Sequence, residues 1–325
     1  MRILLQTFNS GVNSKSGTPL PPGQVRGTPD WREWETLLID CLKELGHETS
    51  EYLEHPVADL SHLPGDVRMY VHQTKRDKPD GDFFYMQMHL RDLFTLDREG
   101  WGADHSQAES TDAWTLEDET EAERYCMTLA EEFHSTGLSK CDQPSQTPLT
   151  PARFILVPVQ IPRDYTIHHH SPVTVKYFID SIQAWAIETQ NHVVFKMHPF
   201  NKGDADLHRS VDDACVSPYI HKAEGNIHEL IRRSVGLFVI NSGTGFEALI
   251  HGRPVATFGN CDYRRATFNA DLRRLDEVRN FLYSYTDDQR RMGYKFAAWY
   301  CLKHGYRLGE EGTRGRLLAY LRENI

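Results

Sequence analysis

The chain has 325 residues, more than one typical domain holds and enough for two of about 150 residues each. Its composition, 39% hydrophobic and 25% charged, is that of a globular protein able to bury a core without disulfide or metal staples. The formal net charge of −10 and the lack of a long basic run exclude general nucleic-acid binding. They leave open an anionic small ligand, because amides at a helix start can hold one locally. Six cysteines, at 41, 126, 141, 215, 261 and 301, form no Cys-x-x-Cys pair, so neither a zinc site of that kind nor a secreted disulfide scaffold is expected. Polar Gln6, Asn9 and Ser10 end the first apolar run, and no stretch approaches the ~20 apolar residues of a membrane span. The expected location is the cytoplasm.

Along the chain, 3–8 reads as a strand and 9–30 as a long Gly, Ser and Pro loop without the Gly-Lys-Ser/Thr ending of a P-loop. Asp30 caps an expected helix over 31–45, striped by Trp34, Leu37, Leu38, Cys41, Leu42 and Leu45, which Gly46 closes. Strands are expected at 67–72 and 82–88. The segment 93–106, dense in aromatics, glycines and acids, reads as a loop, followed by an acidic helix over 112–133. Three prolines with Gly, Ser and Gln mark 135–151 as a linker. Strands at 154–159, 193–196, 235–240 and 254–258 alternate with helices, one of them over 172–188 with Ser171 as cap and Pro172 as first residue. This pattern predicts an α/β protein of two Rossmann-like domains, 1–150 and 151–290, with a helical tail over 291–325.

The tail has two readings. From 290 to 325 there are eight Lys/Arg against three Asp/Glu, with aromatic Tyr294, Phe296, Trp299 and Tyr300 among them. One reading is a packed helix crossing back to the N-terminal domain. The other is peripheral contact with an anionic inner leaflet, where lipid-linked acceptors reside.

Three polar signatures follow three apolar runs. In open α/β sheets ligands bind beyond the carboxyl ends of the strands, so these signatures are expected to share one site. Asn241-Ser242-Gly243-Thr244-Gly245 lies between strand and helix, where small residues and free amides favour an anion. Glu247, one turn on, is a candidate acceptor for ribose hydroxyls; the bland alternative is a capped tight turn. Lys196 and His198 suit a phosphate leaving group, one screening charge and the other donating a hydrogen bond or proton; the alternative is a surface lysine and a loop histidine. Asp164, five residues after a strand, is a candidate nucleophile or general base, or else a turn residue after Pro162. His168, His169 and His170 are consecutive, point in different directions and read as loop. In the first half, Trp101, Asp104 and His105 are candidates for an acceptor pocket, or for a packed domain edge.

The stretch 154–263 resembles the capsule-polysaccharide biosynthesis family of bacterial glycosyltransferases, and more narrowly the retaining β-Kdo transferases of lipopolysaccharide O-antigen and capsule assembly. The resemblance is carried by Gln160-x-x-x-Asp164, Lys196-x-His198-Pro199, Asn241-Ser242-x-x-Gly245-x-Glu247-Ala248-Leu249, Gly252-x-Pro254-Val255 and Gly259-x-x-x-Tyr263. It implies a GT-B-like pair of domains, a CMP-Kdo donor, a glycan acceptor and no metal or other cofactor. It implies Asp164 as the carboxylate that attacks the sugar, His198 assisting the CMP phosphate, and Gln160, Lys196, Asn241, Ser242, Gly243, Thr244 and Glu247 on the donor. The family's further acidic residue falls among Asp97, Glu99 and Asp104. A sialic-acid-like CMP-sugar, or a non-catalytic binding protein of polysaccharide export, are the alternatives to a β-Kdo transferase.

Overall fold

The computed structural model describes residues 1–7, 29–52, 65–76, 81–108, 112–141, 143 and 150–325; most of the loop expected over 9–30 and the middle of the linker expected over 135–151 lie outside them. The chain forms two compact units, Met1–Ser110 with Tyr300–Ile325, and Thr111–Trp299. The boundary expected at 150 therefore lies within the second unit as its packing defines it.

The first unit opens with β1 (Arg2–Gln6), α1 (Pro29–Glu44), β2 (Glu48–Tyr52), β3 (Val67–Val71), β4 (Phe83–Gln87) and β5 (Leu93–Asp97). Most of the stripe read on α1 is buried: Trp34, Leu38, Cys41 and Leu42 are fully inaccessible, while Leu37 and Leu45, the latter just past the helix, are half-buried. Trp34 stacks on Phe94 with ring centroids 5.1 Å apart, an offset aromatic contact that fastens the helix to the sheet. β5 corrects the loop expected over 93–106. All five of its residues are buried and it pairs antiparallel with β4; its density of polar and aromatic residues belongs to the turns beyond Asp97.

The second unit follows with α2 (Glu119–Thr136), β6 (Ile155–Val159), α3 (Tyr165–His170), α4 (Val175–Thr189), β7 (Val193–Met197), α5 (Ala205–Ala214), β8 (Ile220–Lys222), α6 (Ile227–Arg233), β9 (Gly236–Val239), α7 (Gly243–Ile250), β10 (Val255–Thr257), β11 (Phe268–Asn269), α8 (Leu275–Tyr283) and α9 (Asp287–Trp299). The helix expected over 172–188 starts later. Thr174, not Ser171, is its cap, accepting from Tyr177 N–H at 3.1 Å, and Ser171 ends α3 instead. The three consecutive histidines accordingly lie in a helix rather than a loop.

After a π-helical turn, Tyr300–His304, the chain completes the first unit with β12 (Tyr306–Arg307) and α10 (Thr313–Asn324). The first sheet runs β12-β5-β4-β3-β1-β2 and the second β11-β10-β9-β6-β7-β8. Every pairing in the second sheet is parallel. Two Rossmann-like lobes of the GT-B class, with a helical C-terminal stretch, are thus the observed architecture. The aromatics of that stretch are not a membrane face: Tyr294, Phe296, Trp299 and Tyr300 are all buried, with Phe296 set edge-on to Trp114 at 5.6 Å. Among the described residues no helix is long and apolar enough to cross a membrane.

Candidate functional site

In the second sheet β6 lies between β9 and β7. The chain leaves β6 in one direction through β7 and β8, and in the other through β9 and β10, so the strand order reverses between β6 and β9. That is the switch point at which α/β sheets open a crevice for ligands. The three polar signatures stand at the ends of these three adjacent strands.

Gln160 and Asn241 close the floor. Gln160 Nε2 donates to Asn241 Oδ1 at 2.8 Å, and Asn241 N–H returns a bond to Gln160 Oε1 at 3.0 Å. Asn241 Nδ2 donates to Thr166 O at 2.9 Å, and Asn201 Nδ2 to Gln160 O at 3.1 Å. Both side chains are buried and tie the strand ends together. Above this floor Ser242 caps α7, its Oγ accepting from Thr244 N–H at 3.3 Å. Tyr263 OH donates to Ser242 O. A Cβ at Gly245 would meet that hydroxyl at 2.5 Å, which explains the glycine: the tyrosine packs directly against the turn. Ser242, Gly243 and Thr244 are half-buried.

Lys196 is only 7% exposed, next to the end of β7. Among the described residues no hydrogen bond or ion pair closes on its ammonium. Burial pushes its pKa down, opposed in part by the charges of Glu224, Cys141 and Glu247. His198 is half-buried, and its Nδ1 accepts from Phe200 N–H at 3.1 Å. This bond assigns the neutral tautomer: the proton sits on Nε2. Burial lowers the pKa of His198; Asp164 opposes that shift, while Lys140 and Lys196 add to it. Asp164 caps α3, its Oδ1 accepting from Thr166 N–H at 2.9 Å and Thr166 Oγ1 at 2.7 Å. Among the described residues nothing bonds its Oδ2.

Glu247 is 3% exposed. Its Oε1 accepts from Ser139 Oγ at 2.6 Å and has His228 Nε2 at 3.8 Å. Lys140, which belongs to none of the motifs, was not legible in the sequence: it sits in the expected linker, yet its charge acts on His198 and is itself acted on by Asp164 and Glu247.

The candidates of the first unit have a different character. Asp97 is 4% exposed and accepts from Glu99 N–H, Gly100 N–H, Ser106 N–H and Ser106 Oγ at 2.8, 3.2, 3.1 and 2.6 Å. Glu99 pairs with Lys75 at 3.0 Å and Asp104 with Arg76 at 2.7 Å. His105 is buried, 3.6 Å from Asp97 Oδ2, with its ring 4.1 Å from that of His304. These side chains shape the turn after β5. Among the described residues no three His, Cys, Asp or Glu side chains converge as a metal site requires.

The fold has a counterpart in the KpsC β-Kdo 2,7 transferase of Thermosulfurimonas dismutans, with a TM-score of 0.52 and 15% identity over 89% of this chain and 96% of that one. Among curated proteins, FixF of Sinorhizobium fredii is 34% identical over 114 residues, which are 34% of this chain and 27% of FixF. The capsule polysaccharide export protein KpsS of Escherichia coli is 24% identical over 154 residues, 40% of this chain and 39% of KpsS. Each match thus spans well under half of the curated relative. The model of the capsule polysaccharide biosynthesis protein family matches residues 116–279, which takes in α2, the whole second sheet and the switch-point cluster. With half of its length inside that match, the chain belongs to the capsule polysaccharide biosynthesis protein family.

Proposed function

We propose that the protein is a retaining glycosyltransferase that moves β-Kdo from CMP-Kdo to a glycan acceptor in bacterial surface polysaccharide synthesis. The observation that carries this reading is the buried Lys196 at the switch point, unpaired among the described residues, beside an imidazole that presents Nε2–H and a carboxylate with one oxygen unused among those residues. A buried cation without a partner is costly; an anionic ligand removes that cost. The Thr111–Trp299 unit holds the donor, with the phosphate on Lys196, His198 and the start of α7. The Met1–Ser110 unit takes the lipid-linked acceptor.

In this reading Asp164 Oδ2 attacks the anomeric carbon as the bond to the CMP phosphate oxygen breaks. CMP leaves with the electron pair, held by Lys196 and by the Nε2–H of His198. The acceptor oxygen then attacks the anomeric carbon, Asp164 leaves as a free carboxylate with the bonding pair, the hydroxyl proton passes to solvent, and two inversions give net retention. A second reading, a non-catalytic binder of nucleotide or glycan, draws on the fact that Asp164 already has a structural task as the cap of α3.

Asp164→Asn separates the two, because Asn caps a helix about as well as Asp. The variant should keep the wild-type melting temperature and CMP affinity, while losing transfer and the one-sugar adduct that intact-protein mass spectrometry detects after mixing wild type with CMP-Kdo. Wild-type turnover in Asp164→Asn would take the nucleophile's role from Asp164. A wild-type protein that binds CMP but never releases it from CMP-Kdo would favour the binder.

A further inference from the structure

We propose that Lys140 is a donor-binding residue, carried to the anion site by a strap, residues 137–141, that the rest of the unit holds in place; this rests on the donor reading above. Gly137 ends α2 in the left-handed conformation, φ 67°, with its N–H on Phe133 O at 2.9 Å. The residues beyond it are then bonded one after another to α6 and α7. Asn226 Nδ2 donates to Gly137 O at 2.9 Å, and His228 Nε2 lies 2.8 Å from Leu138 O. Ser139 Oγ donates to Glu247 Oε1 at 2.6 Å, and Ile227 N–H to Gln143 Oε1 at 3.0 Å. These bonds come from both sides of Lys140 in sequence, so its backbone is fixed.

Their placement matters as much as their number. Glu247 stands one turn after Gly243 on α7, so Ser139 brings the strap over the start of that helix. Lys140, the next residue, acts electrostatically on His198 and feels Asp164 and Glu247. Glu247 Oε1 is thereby engaged in holding the strap. A CMP-activated 2-keto acid carries two anionic groups, a phosphodiester and a carboxylate. Lys196 answers one of them, and Lys140 is the further cation near the same carboxylate and imidazole.

The test compares wild type, Lys140→Ala, Lys140→Arg and Lys196→Ala. CMP affinity is measured by calorimetry and the KM for CMP-Kdo by release of CMP. Lys140→Ala should weaken at least one of these by about tenfold, the scale of a lost charge-assisted hydrogen bond. A loss with CMP alone places Lys140 on the phosphate; a loss with CMP-Kdo only places it on the sugar carboxylate. Lys140→Arg, which keeps the charge, should recover most of the loss, and both variants should melt like wild type. Unchanged CMP affinity and KM in Lys140→Ala, alongside weakened CMP binding in Lys196→Ala, overturns the inference while leaving the donor reading standing. So does a Lys140→Arg variant as weak as Lys140→Ala, since charge would then not be what the strap delivers. A wild-type protein that neither binds CMP nor turns over CMP-Kdo overturns both.

Discussion

The two units place carboxylates and cations at the ends of their strands in opposite ways. At the end of β5, Asp97 spends its carboxylate on four donors from residues 99–106, and the charges around it are paired, Glu99 with Lys75 and Asp104 with Arg76. Beyond β6 and β7, Asp164 spends one oxygen on a helix cap, and Lys196 is buried without an ion pair among the described residues. The first arrangement is closed chemistry: it holds a loop. The second is open chemistry among the described residues, which is the arrangement the proposed donor would need. A buried polar group is a structural asset when its bonds are complete, and an indication of a ligand when they are not.

The largest effect should come from breaking the closed side. Asp97→Ala removes the acceptor of four hydrogen bonds and strands three N–H groups, that of Gly100 fully buried, with a buried one costing about 1–3 kcal/mol. Urea denaturation should show a loss of about 3 kcal/mol or more. The same substitution at Asp164 removes only a cap, at about 1 kcal/mol. If the two variants lose equal stability, the distinction between a closed and an open carboxylate does not hold.

This distinction was not readable before folding. Asp97 and Asp164 look alike in the sequence, each an acid just after an apolar run, and only hydrogen-bond geometry separates them. What was readable was the frame. Apolar runs such as Val193–Met197, bounded by polar residues, are the mark of doubly covered parallel strands, and α1 announced itself by its buried stripe. Two- and three-residue strands such as β8, β11 and β12 were not, because pairing with a sheet edge and not local sequence makes them strands. The strap was hidden for the same reason: its Gly, Ser and Lys residues have the composition of a linker, and tertiary bonds to Asn226, His228 and Glu247 give it a fixed path.

A second expectation concerns the histidines behind that strap. His228 Nε2 faces Leu138 O and its Nδ1 lies 3.0 Å from His251 Nε2, so in the neutral pair His251 donates to His228 and His228 donates to the strap. Burial, with the nearby positive charges of His228, Arg253, Arg232 and His134, lowers the pKa of His251 to about 3. A base whose folded pKa lies below its unfolded value near 6.5 binds its proton more readily when unfolded. Its contribution to stability is therefore complete above pH 6.5 and is lost as pH falls from there towards 3, by up to about 1.4 kcal/mol per pH unit. His251→Gln, which keeps a donor but cannot titrate, should lose about 2 kcal/mol less than wild type between pH 7 and pH 5. Parallel stability curves for the two proteins over that range would show that the pair is solvated and that the strap is not held by it.

The smallest effect is the most discriminating, because its sign differs from the usual one. Truncating a buried residue normally destabilises. Lys196→Met keeps the length and apolar stem of the side chain while removing an ammonium that burial penalises. The ligand-free variant should be as stable as wild type at pH 7, or more stable by about 1 kcal/mol. The lowered folded pKa of Lys196 fixes the pH dependence. The penalty is fully present below that pKa and fades as pH rises from there towards the unfolded value near 10.5, so any gap between the proteins should narrow in alkali. Added CMP should reverse the order, stabilising wild type through binding while leaving the variant where it was. Melting curves with and without CMP at pH 7 and pH 10 check every part of this. A variant that is less stable by 2 kcal/mol or more without ligand would mean that Lys196 already has its counter-ion within the chain, and the second unit would then be as closed as the first.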